Sequence, residues 1–427
     1  MQDRFRQPRF VLALGAFLAA AASAGADNWP RFRGPNGTGV AADKGVPVKW
    51  GAGDVLWKVE LPGVGHSSPV VWGDRLFLQT SGTKGDGRSL LCLDANTGKQ
   101  LWSREAPGGT ARKHDRNTFA SSTPATDGER VYAVFWDGRD VSLSAYDMKG
   151  EALWKRDLGG YTSQHGPGMS PAVYDGRVFV NDDQDGSAVL LAFDARSGKE
   201  LWRAERKAFR ACYSTPFLRQ KPGGGDELIV ASTAGITAYD PKTGGQNWGY
   251  DWTFSGMALR TVGSPVAGAG LIFASSGDGS NARSCIAVEP PAKSGGQPKL
   301  AWSSEERRSF PYVPSLLVRG DYLYIVHDKG NVACHEAKTG AEVWSQRLQC
   351  LFSASPVLID GKVYAPSEQG DVYVFEAAPT YKLLAKNSLG EPVFASPAVA
   401  NGRLYVRGRQ HLFCVGRPAE KRSAEAK

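Results

Sequence analysis

One feature constrains this chain more than any other. A Ser-Pro dipeptide or a near equivalent returns at a mean spacing of about 47 residues. It stands at Ser68-Pro69, Thr123-Pro124, Ser170-Pro171, Thr215-Pro216, Ser264-Pro265, Val313-Pro314, Ser355-Pro356 and Ser396-Pro397, which marks eight units. Each unit repeats one grammar. A short apolar run follows the proline, then a turn such as Asp127-Gly128, Asp175-Gly176, Asp360-Gly361 or Asn401-Gly402. Such pairs tolerate the positive φ of a tight hairpin. A second strand follows (Arg177-Val178-Phe179-Val180), then a variable loop and a third strand (Leu190-Leu191-Ala192-Phe193-Asp194). A second glycine turn, as at Ser197-Gly198, leads to a fourth strand that carries tryptophan at Trp102, Trp154, Trp202, Trp248, Trp302 and Trp344.

Four antiparallel strands at this period describe the blade of a β-propeller, so the expected fold is an all-β, eight-bladed ring. Proline fits the start of an innermost strand, whose outer edge needs no ladder donor. The recurring tryptophan fits the wedge between blades, where its burial contributes on the order of 3 kcal/mol. Two units depart. The seventh lacks the glycine turn and has Leu384 where tryptophan is expected, and the eighth stops after His411-Leu412-Phe413-Cys414-Val415. The missing strand is available at the other end as Val55-Leu56-Trp57-Lys58-Val59-Glu60, which predicts that the N-terminal region completes the last blade and closes the ring.

Ahead of the ring, Arg4, Arg6 and Arg9 precede an apolar stretch from Phe10 to Ala22 and small-x-small sites at Ala22-Ser23-Ala24 and Ala24-Gly25-Ala26. This is the pattern of a secretory signal peptide. The expected organisation is a signal peptide over 1–26, a strap over 27–54, the propeller over 55–416 and a disordered tail over 417–427, in a periplasmic or secreted protein. No segment after the leader approaches membrane-spanning length. The formal charge of +8 is modest and is not gathered into Lys/Arg runs, which argues against nucleic acid as a partner. Export permits disulfides, yet the six cysteines include neither an adjacent pair nor a C-x-x-C. Cys92, Cys334 and Cys414 occupy the third-strand position held elsewhere by Ala145, Ala192, Ala238 and Ala287, and read as small buried residues.

The pattern small-x-acidic-x-x-[TS]-G-x-x-x-W, cleanest at Ala192–Trp202, resembles the repeat of pyrroloquinoline-quinone (PQQ) type propellers. Trp29-Pro30-Arg31-Phe32-Arg33-Gly34-Pro35-Asn36-Gly37 and Leu389-Gly390-Glu391-Pro392-Val393-Phe394-Ala395-Ser396-Pro397 look like an exported bacterial branch of that group. The resemblance covers essentially all of the chain after the leader. It implies the propeller fold, and it embraces both quinoprotein dehydrogenases and a non-catalytic outer-membrane assembly factor. The dehydrogenases hold the quinone between a tryptophan and a disulfide of adjacent cysteines, with calcium and a catalytic aspartate; adjacent cysteines are missing from this sequence.

Function is expected on the loops over the rigid ring. His66, His114 and His165 precede the first strands of units one to three, where adjacent blades can bring them near one metal or leave them solvated. Asn181-Asp182-Asp183-Gln184-Asp185-Gly186 spaces oxygens like the start of a calcium loop, with Asp183 and Asp185 as weak ligand candidates, but lacks the closing glutamate and reads better as a turn. Asp278-Gly279-Ser280-Asn281 is a fainter version. Arg206, Lys207, Arg210, Arg260, Arg307 and Arg308 form a prospective basic rim on units four to six, and Trp136, Tyr213, Trp252 and Tyr312 lie in or beside the same loops. Arginines grouped with aromatics are typical of binding hot spots; the aromatics serve equally as loop anchors. No nucleophile elbow, P-loop, zinc-protease motif or dinucleotide fingerprint is present. The sequence therefore predicts a monomeric, exported, non-catalytic propeller that binds a protein or small-molecule partner on its loop face and needs no cofactor. A dehydrogenase using PQQ and calcium is the alternative.

Overall fold

The computed structural model describes residues 28–221, 224–252, 259–280, 282–293 and 295–417. The predicted leader, and the tail beyond Arg417, lie outside the described residues. Eight antiparallel sheets follow one another along the chain. Blade one has an inner strand Val70–Trp72, a second Arg75–Thr80, a third Arg88–Asp94 and an outer Gln100–Ala106. Blades two to seven repeat that order over 125–160, 172–205, 217–251, 266–304, 317–347 and 357–388. Blade eight takes Ala398–Ala400, Arg403–Arg407 and His411–Gly416 from the C-terminal end and Val55–Glu60 from the N-terminal end, with Trp57 opposite Cys414. The predicted ring and its closure are both present. Among the described residues, helix is confined to the short turns Pro35–Gly37 and Ala52–Asp54.

Every position of the repeat has a physical job, seen most plainly around blade three. Asp194 Oδ1 accepts from Ser197 N and Oγ, and caps the turn that ends the third strand. Gly198 then takes φ +69°, and its backbone lies under the Trp154 ring of blade two, where a Cβ would stand 2.5 Å from the indole. The Trp154 indole N–H donates to Ala195 O at 3.1 Å, so the ring bridges one blade to the next. Ala192 lies opposite Trp202 and is small because the indole needs the space. Equivalent indole-to-carbonyl bonds run from Trp57 to Ala95, Trp102 to Met148, Trp202 to Pro241, Trp302 to Ala337 and Trp344 to Ala378. The cysteines opposite Trp102, Trp344 and Trp57 do the work of the alanine, and all six cysteines are buried and outside any disulfide.

Each outer strand also carries a register shift just before the tryptophan position, which leaves one unpaired residue such as Leu101, Leu153 or Leu201. A bulge there twists and blunts the edge strand that would otherwise template further pairing. It also corrects the sequence reading of blade seven. The residue in the tryptophan register is Ala385, opposite Val374, and Leu384 is the bulge.

Inner strands are joined by hydroxyls. The backbone N–H of Ser68 donates to Thr123 Oγ1, Thr123 to Ser170, Thr215 to Ser264, Ser264 to Ser315, Ser315 to Ser355 and Ser355 to Ser396, each at 2.9–3.0 Å. This fixes the repeat position of unit six at Ser315-Leu316. Val313-Pro314 stands two residues early, and the true equivalent, Ser315-Leu316, carries no proline.

The strap crosses the face that carries the inner hairpin turns. Trp29 bridges Val71 of blade one, Pro30 O accepts from Thr126 N of blade two, and the Asn36 side chain pairs with both backbone groups of Leu218 in blade four. Val40–Ala41 then adds a parallel strand to blade seven. Beyond it, Asn387 binds the strap at Val48 O and Trp50 N. Trp50 joins the same buried cluster as Ala385 and Leu389. The strap thus brings an indole to the seam where blade seven lacks its own.

Candidate functional site

The loops leading into the inner strands and those joining second to third strands share the opposite, loop face. There the segment Ser163-Gln164-His165, between blades two and three, acts as a hub. Gln164 Oε1 accepts from Arg210 at 3.2 Å and from Arg260 at 3.3 Å, so guanidinium groups from the loops before blades four and five meet on one neutral oxygen. Arg260 is 2% exposed, and its Nη1 lies 3.7 Å from Asp185 Oδ1, an oxygen already bonded by Ala211 N. Tyr213 shares a hydrogen bond with Ser163 Oγ at 3.0 Å. Tyr312 is held by its backbone N–H on Asp328 Oδ2, and its ring lies against the Arg283 guanidinium. Burial pushes the Tyr312 hydroxyl up to about 12, against the pull of Arg260 and Arg210.

The predicted histidines split. His114 and His165 stack with ring centroids 4.4 Å apart, and His114 N donates to His165 O. Burial, with Arg260 next in weight, lowers His165 to about 4, which keeps it neutral at pH 7. His66 stands elsewhere, stacked on Phe394 at 5.1 Å and lowered to about 4 by burial and Arg407. The three do not converge, and among the described residues no group of three or more His, Cys, Asp or Glu is placed to hold a metal.

The acidic loop is also internally committed. Asp183 Oδ2 pairs with Arg206 at 3.0 Å and accepts from Asn181, while Asp182 accepts from Gln184. Burial raises both carboxyls to about 6 even though Arg206 pulls Asp183 the other way. Arg206, expected on a basic rim, is buried in this pair because the ladder carries it under blade four. Arg308 does reach the surface, its carbonyl accepting from Asn331, and Lys207 is exposed beside Asp251. Trp136 is buried and stacked on Phe119 at 5.4 Å. Trp252 follows the outer strand of blade four, its backbone N–H donating to Ala234 O.

Three features escaped the sequence. Gln164 links two arginines 50 residues apart in sequence. Phe209 is 53% exposed beside Arg210, in a loop with no apolar periodicity to single it out. Arg116 of the loop between blades one and two reaches Glu368 of blade seven at 2.6 Å, and Glu368 also accepts from Ser353. That ion pair ties together loops from non-adjacent blades.

A family model described as outer membrane protein assembly factor BamB matches residues 33–147, 112–346, 282–379 and 328–415. The outer membrane protein assembly factor BamB of Shewanella oneidensis is 23% identical over 307 residues, 67% of this chain and 72% of its own. A polyvinylalcohol dehydrogenase from a Pseudomonas species is 29% identical over 35% of this chain and 24% of its own. Among solved structures, BamB from Moraxella catarrhalis superposes with TM-score 0.61 at 15% identity, covering 86% of this chain and 98% of that one. A europium-containing methanol dehydrogenase superposes with TM-score 0.70 at 11% identity, covering 92% and 98%. Those likenesses speak for the fold. The family model spans nearly all of the ring, and this chain belongs to the propeller family described as outer membrane protein assembly factor BamB.

Proposed function

We propose that the protein is an exported, non-catalytic propeller that binds a partner protein through its loop face, centred on the loops before blades four to six. The observation that carries this reading is the convergence of Arg210, Arg260, Tyr213 and Tyr312 around the Ser163–His165 hub, with Phe209 exposed beside them. Arginine and aromatic side chains held on a rigid scaffold are what a protein interface concentrates at its centre. The relatives support the same class. Two relatives aligned over about two thirds of both chains are named assembly factors, whereas the dehydrogenase alignments span a third to a half of this chain.

The alternative is a PQQ- and calcium-dependent dehydrogenase. The candidate residues do not fit those groups. The Asp183 carboxylate is 0% exposed and spent on Arg206, the Trp136 ring is covered by Phe119, and Asp278 caps its own turn through Ser280.

A photo-crosslinking residue at position 209 of the exported full-length protein tests the proposal in cells. The expected result is a discrete adduct that Arg210→Glu abolishes. Crosslinker at position 174, on the face of the inner hairpin turns, should give none. Equal labelling at both positions, or none at 209, sinks the reading.

A further inference from the structure

Positive charge on the loop face is unevenly placed. The loops entering blades two, four and six, over 107–124, 206–216 and 305–316, together hold eight Lys/Arg against three Asp/Glu. Those entering blades one, three and seven, over 61–69, 161–171 and 348–356, hold no Lys, Arg, Asp or Glu. The blade-two loop supplies Arg112, Lys113 and Arg116 against Asp115 alone. Arg112 is exposed, and among the described residues no carboxylate stands within ion-pair distance of Arg112 or Lys113. Lys113 packs beside the hub: a Cβ on Gly166 would stand 3.4 Å from its own Cβ. Arg210 and Arg260 bear on the neighbouring His165 ring. Cations from the loops entering blades two, four and five therefore come together around the stacked His114–His165 pair.

A chain of contacts carries this charge across the middle of the face. Phe209, 53% exposed, adjoins Arg210, which donates to Gln164. One residue on, His165 stacks on His114, which lies between Lys113 and Arg116 in sequence. Arg116, with its side chain 60% exposed, holds the Glu368 carboxylate of blade seven at 2.6 Å. The Glu368 backbone N–H donates to Leu351 O, and Leu351 is 36% exposed. The path thus starts and ends on an exposed apolar side chain and is cationic between them. Glu368 also shows how a carboxylate is held there, its Oε1 accepting from Arg116 and from Ser353 Oγ, each at 2.6 Å. An ion pair with one partner so exposed is screened and weak, which lets an incoming carboxylate take the place of Glu368.

We infer that the partner docks by an extended acidic segment laid across the loop face from Phe209 to Leu351, apolar at both ends. Its carboxylates meet Lys113, Arg210 and Arg116, the last released from Glu368. This rests on the partner-binding function proposed above and adds the chemistry of what binds. Complementary charge of this kind steers encounter and fixes orientation, and it weakens with salt.

The probe is a fluorescein-labelled synthetic peptide of alternating aspartate and glutamate with a leucine at each end, titrated into the purified full-length exported protein. A lysine peptide of the same length and ends is its opposite. The acidic peptide should bind saturably, and about tenfold more weakly at physiological than at low ionic strength; the lysine peptide should not bind. Lys113→Glu and Arg210→Glu should each weaken binding about tenfold, the first covering the case in which R210E does not fold. Lys242→Glu, an exposed position on the opposite face, should leave it unchanged. Glu368→Gln should tighten binding about threefold, because the competing carboxylate is gone; a merely structural Arg116–Glu368 pair gives no such gain. No saturable binding, equal binding of the lysine peptide, or an affinity that K113E leaves unchanged overturns the inference. An unchanged affinity in E368Q overturns the exchange at Arg116. If the adduct at position 209 still forms in cells, partner binding stands and only the acidic chemistry falls; if it does not, both fall.

Discussion

The acidic-x-x-[TS]-G-x-x-x-W repeat is a contract between neighbouring blades, written one residue at a time. Trp154 belongs to blade two, but its indole rests on Gly198 and bonds Ala195 of blade three. Trp154→Ala should therefore cost about 3 kcal/mol through lost burial and cavity, and Gly198→Ala about as much through positive φ and collision with the same ring. Chemical denaturation followed by tryptophan-independent circular dichroism checks both. A double variant costing clearly less than the sum of the two would confirm that they report one contact. His66 makes a pH prediction at the same scale. Its ring is lowered to about 4 in the folded chain, against about 6.5 when unfolded. Between those values the unfolded chain binds the extra proton. The stability His66 contributes is present above pH 6.5 and is lost as pH falls toward 4. His66→Gln should remove about 2 kcal/mol of the difference between pH 7 and pH 5, read from unfolding midpoints at the two values.

At the scale of elements, the seams differ and the differences are informative. Six seams carry the indole-to-carbonyl bond. At the fourth, blade five has Pro290-Pro291 in place of the Thr-Gly turn, and the Trp248 N–H turns to the Glu227 carboxylate, which Arg219 neutralises at 2.7 Å. At the seventh, Ala385 leaves the wedge unfilled and the strap supplies Trp50. Trp50→Ala should cost about 3 kcal/mol and raise hydrogen exchange first in Leu383–Ser388, leaving blades two to four unchanged; uniform acceleration around the ring would contradict a local role. The strands themselves were legible because hairpin glycines, alternating apolar residues and tryptophan repeat eight times. Bulges are not legible, because no residue pattern marks them, and so counting back from the strand places Leu384 where the register places Ala385. Nor is the strap, since residues 27–54 carry no periodic pattern and find their places only on surfaces the ring creates.

For the whole molecule, closure unites the two ends of the chain. Val55–Glu60 completes blade eight, and the strap before it touches blades one, two, four, six and seven. That architecture could be read from sequence because an incomplete last unit and a spare tryptophan strand fit each other. The loop face was read less completely. Arg210, Arg260, Tyr213 and Tyr312 were picked out by residue type, but Gln164, the acceptor that gathers the two arginines, has no motif and is recognisable only once the blades are in place. The same holds for Asp183, whose spacing suggested a metal loop and whose carboxylate is bound to Arg206. The loop face gathers arginines and aromatics from several blades, with Phe209 as an exposed apolar side chain. The most direct test is titration of the purified exported protein with pyrroloquinoline quinone and calcium, followed by calorimetry and by dye-linked oxidation of a panel of small alcohols. No heat of binding and no turnover is the predicted result; saturable binding with turnover would contradict it and make this protein an enzyme.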